Sequence, residues 1–237
     1  MRQAGANLGR WLVIVAMLAL PAAAPKSAAK GQTQWVAVVH TTAQGGFLIG
    51  NPAAKVKLLE FGSYTCPHCA RFETEAVPAL LRTYVATGRV SYEFRGFPIH
   101  GPLDAAMTLL TMCPTAASGW KMSKALFAAQ ATVIDGFRAI SEAEIARLNA
   151  LPDEQALVQY ADAGGLDDFV AGHGVSKAAF GPCISNAANN AKFEASSREA
   201  QERYLLKSTP WFVINGKPIE DTSDWAALEP RLREALK

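Results

Sequence analysis

The chain has 237 residues, half of them apolar and 19% charged. That composition excludes a disordered protein and allows one large domain or one domain with an insertion. A formal net charge of +2, with lysines and arginines dispersed and no charged tail or internal repeat, excludes the basic footprint of a nucleic-acid binder.

Arg2 and Arg10 precede an apolar run, Trp11 to Leu20, and then a small-residue zone, Pro21 to Ala29. This is the order of a secretory signal peptide, assigned to residues 1–29. The run is well short of the roughly 20 residues that cross a bilayer. Cleavage after Ala24 would leave Pro25 at the new terminus, so a cut after Ala29 fits as well or better; the alternative is an uncleaved anchor that tethers the protein to the membrane. With no cysteine after the apolar run, a lipid anchor is not expected there. Export matters because disulfides persist outside the reducing cytosol.

Gly31 to Gln34 read as a flexible lead and Trp35 to Val39 as a first short strand, although its pattern is continuous rather than alternating. Gly45-Gly46 and Gly50-Asn51-Pro52 punctuate two turns. Val56 to Phe61 is an apolar run that reads as a buried strand. After Cys69 a helix carries Phe72, Ala76, Val77, Leu80, Leu81 and Tyr84 on one stripe, with Pro78 expected to kink or split it. Val90 to Phe94 alternate as a strand. From about His100 to Leu206 the pattern is helical throughout: Leu103–Met112, Lys121–Ala131, Ser141–Asn149, Asp153–Ala163 and a last polar helix over about Ile184–Lys207, separated by Gly, Pro and Ser clusters. Ser141 with Glu144 makes a capping box. Strands return at Trp211–Ile214 and Lys217–Ile219 around Asn215-Gly216, a strong hairpin signal, and Asp224–Leu236 reads as a terminal helix. The order is β-α-β, a helical block, then β-β-α, so the block is an insertion with its own lobe.

The chemistry centres on Cys66-Pro67-His68-Cys69, placed where a strand turns into a helix. Two cysteines with two residues between them in that setting form a redox motif. Cys66 falls near the N-cap and Pro67 at the first helical position, where a missing N–H costs nothing. A thiolate at Cys66 then faces unpaired backbone N–H groups and the positive end of the helix dipole. Cys66 is expected to be exposed at the tip and Cys69 to lie deeper, beneath Pro67 and His68. His68 can supply a hydrogen bond or positive charge to the thiolate. A lower Cys66 pKa stabilises the reduced form and makes the disulfide a stronger oxidant. Other readings of the pair are half of a zinc site, which has no second ligand pair in the sequence, or a purely structural bridge, whose short loop adds little stability. No metal is expected.

Glu60 sits in the apolar strand six positions before Cys66. Facing inward it would have a raised pKa and could move a proton to or from Cys69; facing the sheet edge it would be solvated. Thr209-Pro210 opens the late hairpin. A cis bond there would expose backbone that can pair with an extended peptide, whereas a trans proline would simply start the strand. Cys113 and Cys183 lie in the helical block and read as a second disulfide in an exported chain, or as two buried thiols.

These residues resemble the DsbA-like thiol:disulfide oxidoreductases of the thioredoxin superfamily. The resemblance rests on Gly50-Asn51-Pro52, Leu59-Glu60-Phe61 leading into Cys66-Pro67-His68-Cys69, Phe94-Arg95-Gly96-Phe97-Pro98, and Thr209-Pro210-Trp211-Phe212, and covers nearly all of the chain after the leader. It implies an α/β protein, a thioredoxin-like fold with an inserted all-helical domain: residues 30–99 and 207–237 as the thioredoxin-like domain and 100–206 as the insertion. Cys66, His68, Cys69 and Glu60 take the family's catalytic roles, with Pro67 between them. Pro210 matches its cis-proline with Thr209 beside it, as substrate-binding residues. Cys113 and Cys183 match a structural disulfide of some members. Threonine before that proline is also similar to disulfide isomerases, although no separate dimerisation domain fits between the leader and the first strand. The expectation is therefore a monomeric periplasmic enzyme with no cofactor beyond its own Cys66–Cys69 disulfide. It would oxidise exported proteins and be reoxidised by a DsbB-like membrane partner. A disulfide isomerase or reductase, or a non-catalytic peptide-binding chaperone, is the alternative.

Overall fold

A computed structural model describes residues Gln34–Lys237; the signal peptide expected over residues 1–29, with its cleavage site, falls outside the described residues. Six strands form one sheet in the order β1-β2-β4-β3-β5-β6: β1 (Val39–Thr41), β2 (Phe47–Gly50), β3 (Val56–Gly62), β4 (Val90–Gly96), β5 (Trp211–Ile214) and β6 (Lys217–Ile219). β3 runs parallel to β4, and every other pair is antiparallel. The crossover between β3 and β4 is the helical segment that begins at the cysteine motif. Eight helices then separate β4 from β5: α3 (Pro102–Thr111), α4 (Ala116–Ala128), α5 (Gln130–Arg138), α6 (Glu142–Asn149), α7 (Asp153–Ala163), α8 (Leu166–Ala171), α9 (Lys177–Ile184) and α10 (Ala187–Glu202). The chain finishes with β5, β6 and α11 (Trp225–Ala235). This is a thioredoxin-like fold with a helical insertion.

The period-2 rule explains how the sheet is buried on both sides. In β3, Val56 and Leu58 join the main core with Tyr92 and Phe94 of β4 and Phe212 and Ile214 of β5. Leu59 and Phe61 point the other way, to Trp211, Val213, and Ala200 and Tyr204 at the end of the insertion. On that second face Arg95 is clamped between Glu93 and Glu199 of α10, 2.7 Å from each, with its guanidinium 5.6 Å from the centre of the Phe61 ring. Glu60 has the parity of Val56 and Leu58. It therefore faces the main core, and is 2% exposed.

Several elements depart from the sequence reading. Trp35–Ala37 form a single 3₁₀ turn rather than a strand, and the Trp35 ring lies against Gly88 so closely that a Cβ at Gly88 would strike its indole nitrogen. Pairing of the first strand starts at Val39, opposite Ile49. Glycines read as punctuation bracket β2, whose three apolar residues are too few to show alternation. The helix after the motif contains α1 (Pro67–Arg71) and α2 (Val77–Leu80), each followed by a wide π turn (Phe72–Ala76 and Leu81–Val85). Val77 donates its N–H to the Phe72 carbonyl, so the register widens ahead of Pro78, which has no N–H to give. The segment expected as Lys121–Ala131 is two helices. Thr115 caps α4 earlier, its side chain accepting from the Ser118 N–H, and the chain restarts at Gln130. α8 and α9 lie within a stretch dense in glycine that hid their periodicity. The hairpin at Asn215-Gly216 takes φ of 50° and 80°, the positive pair its tight turn requires.

Candidate active site

Cys66 is the N-cap of α1 in extended conformation, and Pro67 follows at the first helical position. Neither thiol is bonded to the other in this structure. Cys69, one turn on, is fully buried and Cys66 is 6% exposed. The tip of the motif is thus less open than the sequence reading held: Pro67 and His68 are the exposed members. The cover over Cys66 comes from the β5 side, where its Sγ lies 3.2 Å from the Thr209 carbonyl oxygen. Thr209-Pro210 is a cis peptide, and Thr209 lies beside the sulfur although 143 positions away in sequence.

The electrostatics of the two thiols diverge. A hydrogen bond from Cys69 to the Cys66 sulfur outweighs burial and brings the Cys66 pKa down to about 5, with further help from Thr209 and the backbone N–H groups of Cys69 and His68. As a neutral thiol Cys66 donates to the Thr209 carbonyl, a contact that favours the protonated form; the Thr209 hydroxyl is buried without a partner and is the group there that can turn toward a thiolate. Burial, and then the neighbouring Cys66 and Glu60, push the Cys69 thiol well above its usual value. His68 acts through its main chain. Its ring points to Arg71, Nδ1 lying 3.4 Å from the guanidinium, rather than to the sulfur the sequence reading assigned it.

Two carboxyls lie behind the pair. Burial raises the Glu60 pKa to about 8, against a 2.7 Å hydrogen bond from the Tyr92 hydroxyl. Glu73, at the start of the π turn, is raised to about 8 by burial as well, with the charge of Lys124 opposing. The sequence reading passed over Glu73, but it stands four residues after Cys69 and so shares its buried helical face. Also missed were the groups that hold the loop before Cys66: Asp104 at the start of α3 and Gln130 at the start of α5. Gln130 donates to the carbonyl of Cys66 itself, at 3.0 Å. No local sequence signal marks either residue.

Cys113, just past α3, and Cys183, in α9, are joined by a disulfide with Cα atoms 5.6 Å apart. Among the described residues no group of three or more His, Cys, Asp or Glu side chains could hold a metal, and no helix is long and apolar enough to cross a membrane.

A low-pKa cysteine at a helix N-cap, paired with a buried partner, is the equipment of thiol–disulfide exchange. A family model described as thioredoxin matches residues 42–234. The chain belongs to the thioredoxin family. It is 34% identical to a solved structure called a protein-disulfide isomerase, from Novosphingobium aromaticivorans, covering 81% of this chain and 98% of that one with a TM-score of 0.75. The fold is shared with Wolbachia pipientis alpha-DsbA1 (19% identity, 80% and 89% of the two chains, TM-score 0.61). It is shared too with BdbD of Bacillus subtilis (18%, 84% and 98%, TM-score 0.57). Among curated proteins, disulfide bond formation protein D of Bacillus subtilis (strain 168) is 31% identical over 58 residues, 24% of this chain and 26% of that protein. The chain spans about a third or less of the length of the first curated relatives it matches, 36% and 23% for two Rickettsia proteins.

Proposed function

We propose that the protein is an exported dithiol oxidase that passes a Cys66–Cys69 disulfide to reduced cysteines of other exported proteins. The observation that carries the reading is the asymmetry of the pair: Cys66 stands at the helix N-terminus amid donors that favour its thiolate, and Cys69 is sealed beneath it near the Glu60 carboxyl. In the proposed cycle a client thiolate attacks Cys66 Sγ, and the Cys66–Cys69 bond breaks with its electron pair leaving on Cys69. Glu60, protonated at neutral pH with its pKa near 8, supplies the proton that Cys69 takes up. A second client thiolate then attacks the client sulfur of the mixed disulfide, and Cys66 departs as a stable thiolate. The client loses two electrons and the enzyme gains them.

Thr209 and Pro210 serve in this proposal as the docking edge for the client backbone, since the Thr209 carbonyl already lies against the reacting sulfur. Residues 30–99 and 207–237 form the thioredoxin-like part and 100–206 the insertion, with Cys113–Cys183 as its structural bond. The leader directs a monomer to the periplasm, and a DsbB-like membrane protein restores the disulfide. An isomerase or reductase role is the second reading, favoured by the name of the Novosphingobium relative and by Thr209.

The equilibrium with glutathione tests the direction. A strongly oxidising potential together with a Cys66 thiolate titrating near pH 5, read from its ultraviolet absorbance, supports donation. A thiolate that titrates like free cysteine would sink it. Disulfide transfer that survives Cys66→Ser would refute catalysis by this pair, and peptide binding alone in that variant would fit a chaperone.

A further inference from the structure

The loop Ser63–Cys66, between β3 and α1, is buried along its whole length, and most of its polar groups find no partner in the sheet or in α1. Buried backbone donors and acceptors must be paired, and here the helical insertion supplies much of the pairing. Asp104 of α3, itself fully buried, accepts from the Ser63 hydroxyl at 2.9 Å and the Thr65 N–H at 3.1 Å on Oδ1. Its Oδ2 accepts from the Thr65 hydroxyl and the His100 N–H, each at 3.0 Å. From the other side Gln130 of α5 donates one amide nitrogen to two carbonyls, Tyr64 at 2.8 Å and Cys66 at 3.0 Å. The Tyr64 hydroxyl donates to Ser123 of α4 at 3.0 Å.

Both sulfurs depend on this loop. The Cys66 carbonyl that takes the Gln130 bond also accepts from the Ala70 N–H, the first bond of α1, at 3.1 Å. The Ser63 N–H points at Cys69 Sγ, 3.5 Å away.

We infer that Gln130 and Asp104, both carried by the insertion, are positioning residues for the Cys66 thiolate, so that the helical lobe sets the oxidising strength of the pair. The inference rests on the reading of Cys66 as the attacking thiolate. Its physical basis is a difference between the two redox states. In the disulfide form a covalent bond to Cys69 fixes the Cys66 sulfur. In the dithiol form the sulfur stays over the N–H groups of His68 and Cys69 because the loop is held from outside. Slackening the loop therefore costs the reduced state more than the oxidised one, and the pair becomes a weaker oxidant.

Two variants test this without removing a formal charge: Gln130→Met, which removes the amide donor, and Thr65→Val, which removes the hydroxyl held by Asp104 and by the His100 ring, 2.6 Å away. The Cys66 thiolate is titrated by absorbance, and the glutathione equilibrium is measured in parallel with Tm. Each variant is expected to raise the Cys66 pKa by about 0.5, which is roughly threefold in the equilibrium toward the oxidised enzyme. A variant lacking the distant bridge, Cys113→Ala with Cys183→Ala, is expected to lose Tm and leave both redox readouts at the wild-type values. That pattern separates positioning from a general loss of stability. If either folded variant matches the wild type in titration and equilibrium, whatever its Tm, its share of the clasp is structural and the inference falls. A wild-type thiolate titrating like free cysteine would instead overturn the reading of Cys66 itself, and this inference with it.

Discussion

Glu60 and Cys66 illustrate how much a single position depends on parity and neighbours. Glu60 could have faced solvent or core, and its alternation with Val56 and Leu58 decides for the core. With its pKa raised from 4.5 to about 8, the folded protein binds a proton that the unfolded chain has released across that interval. Stability must therefore fall as pH rises from 4.5 to 8 on account of this group. Glu60→Gln, which keeps an oxygen to accept from Tyr92, removes that dependence. Measured in the disulfide form to silence the thiols, the variant should gain over the wild type by a few kcal/mol at pH 8, of the order the pKa change implies. Little difference is expected at pH 4.5. Equal Tm differences at both pH values would show that Glu60 is not buried as a neutral acid. The reactive pair, Glu60 and Thr209-Pro210 were all visible in the sequence as candidates, because each carries a local signature. Gln130, Asp104 and Glu73 carry none: a glutamine that opens a helix and an aspartate in a first turn look like ordinary surface choices until tertiary packing gives them partners.

Elements were legible where one period dominated. β5, β6 and α7 stand where apolar runs about an Asn-Gly turn, or helical spacing, place them. β2 and the α8–α9 region were lost, because their glycines read as loop: those around β2 serve close packing, whereas Gly165 and Gly174 supply positive φ at turns. Gly119 in α4 makes the point physically. A Cβ at that position would collide with the Thr111 carbonyl at the end of α3 and with the Phe47 ring of β2. Neither the backbone group nor the buried ring can yield cheaply. Gly119→Ala should therefore destabilise the protein by about 1–3 kcal/mol despite the better helix propensity of alanine, as read from chemical denaturation. A stabilised variant would mean that α3 and α4 do not approach so closely. Pro78 teaches the complementary lesson: the sequence announced a break, and two wide turns absorb it while the stripe of Phe72, Ala76, Val77 and Leu80 stays buried.

At the scale of the molecule, two fastenings join distant segments. The Cys113–Cys183 disulfide closes 70 residues, and its removal in the double alanine variant should cost about 2–4 kcal/mol, visible as a lower denaturant midpoint in the oxidised protein. An unchanged midpoint would mean that the bond constrains little. The ion pairs of Arg95 with Glu93 and Glu199 tie the last helix of the insertion to the far face of the sheet, so the lobe meets the sheet on that side as well as at the cysteine loop. The α/β order with a helical block between β4 and β5 could be read from periodicity. What periodicity could not convey is where the block bonds, since long-range hydrogen bonds leave no mark on local pattern. The ownership of Ser63–Cys66 has a practical corollary for protein engineering. A minimal chain made by splicing Phe97 to Thr209 would keep all six strands, the cysteine motif and the cis-proline segment, and would look on paper like a complete small enzyme. It would also remove Asp104 from the Thr65 N–H and Gln130 from the carbonyls of Tyr64 and Cys66, leaving the loop before the reactive sulfur without its outside support. The insertion is thus no detachable cassette: the smallest autonomous unit of this protein is the sheet together with its helices.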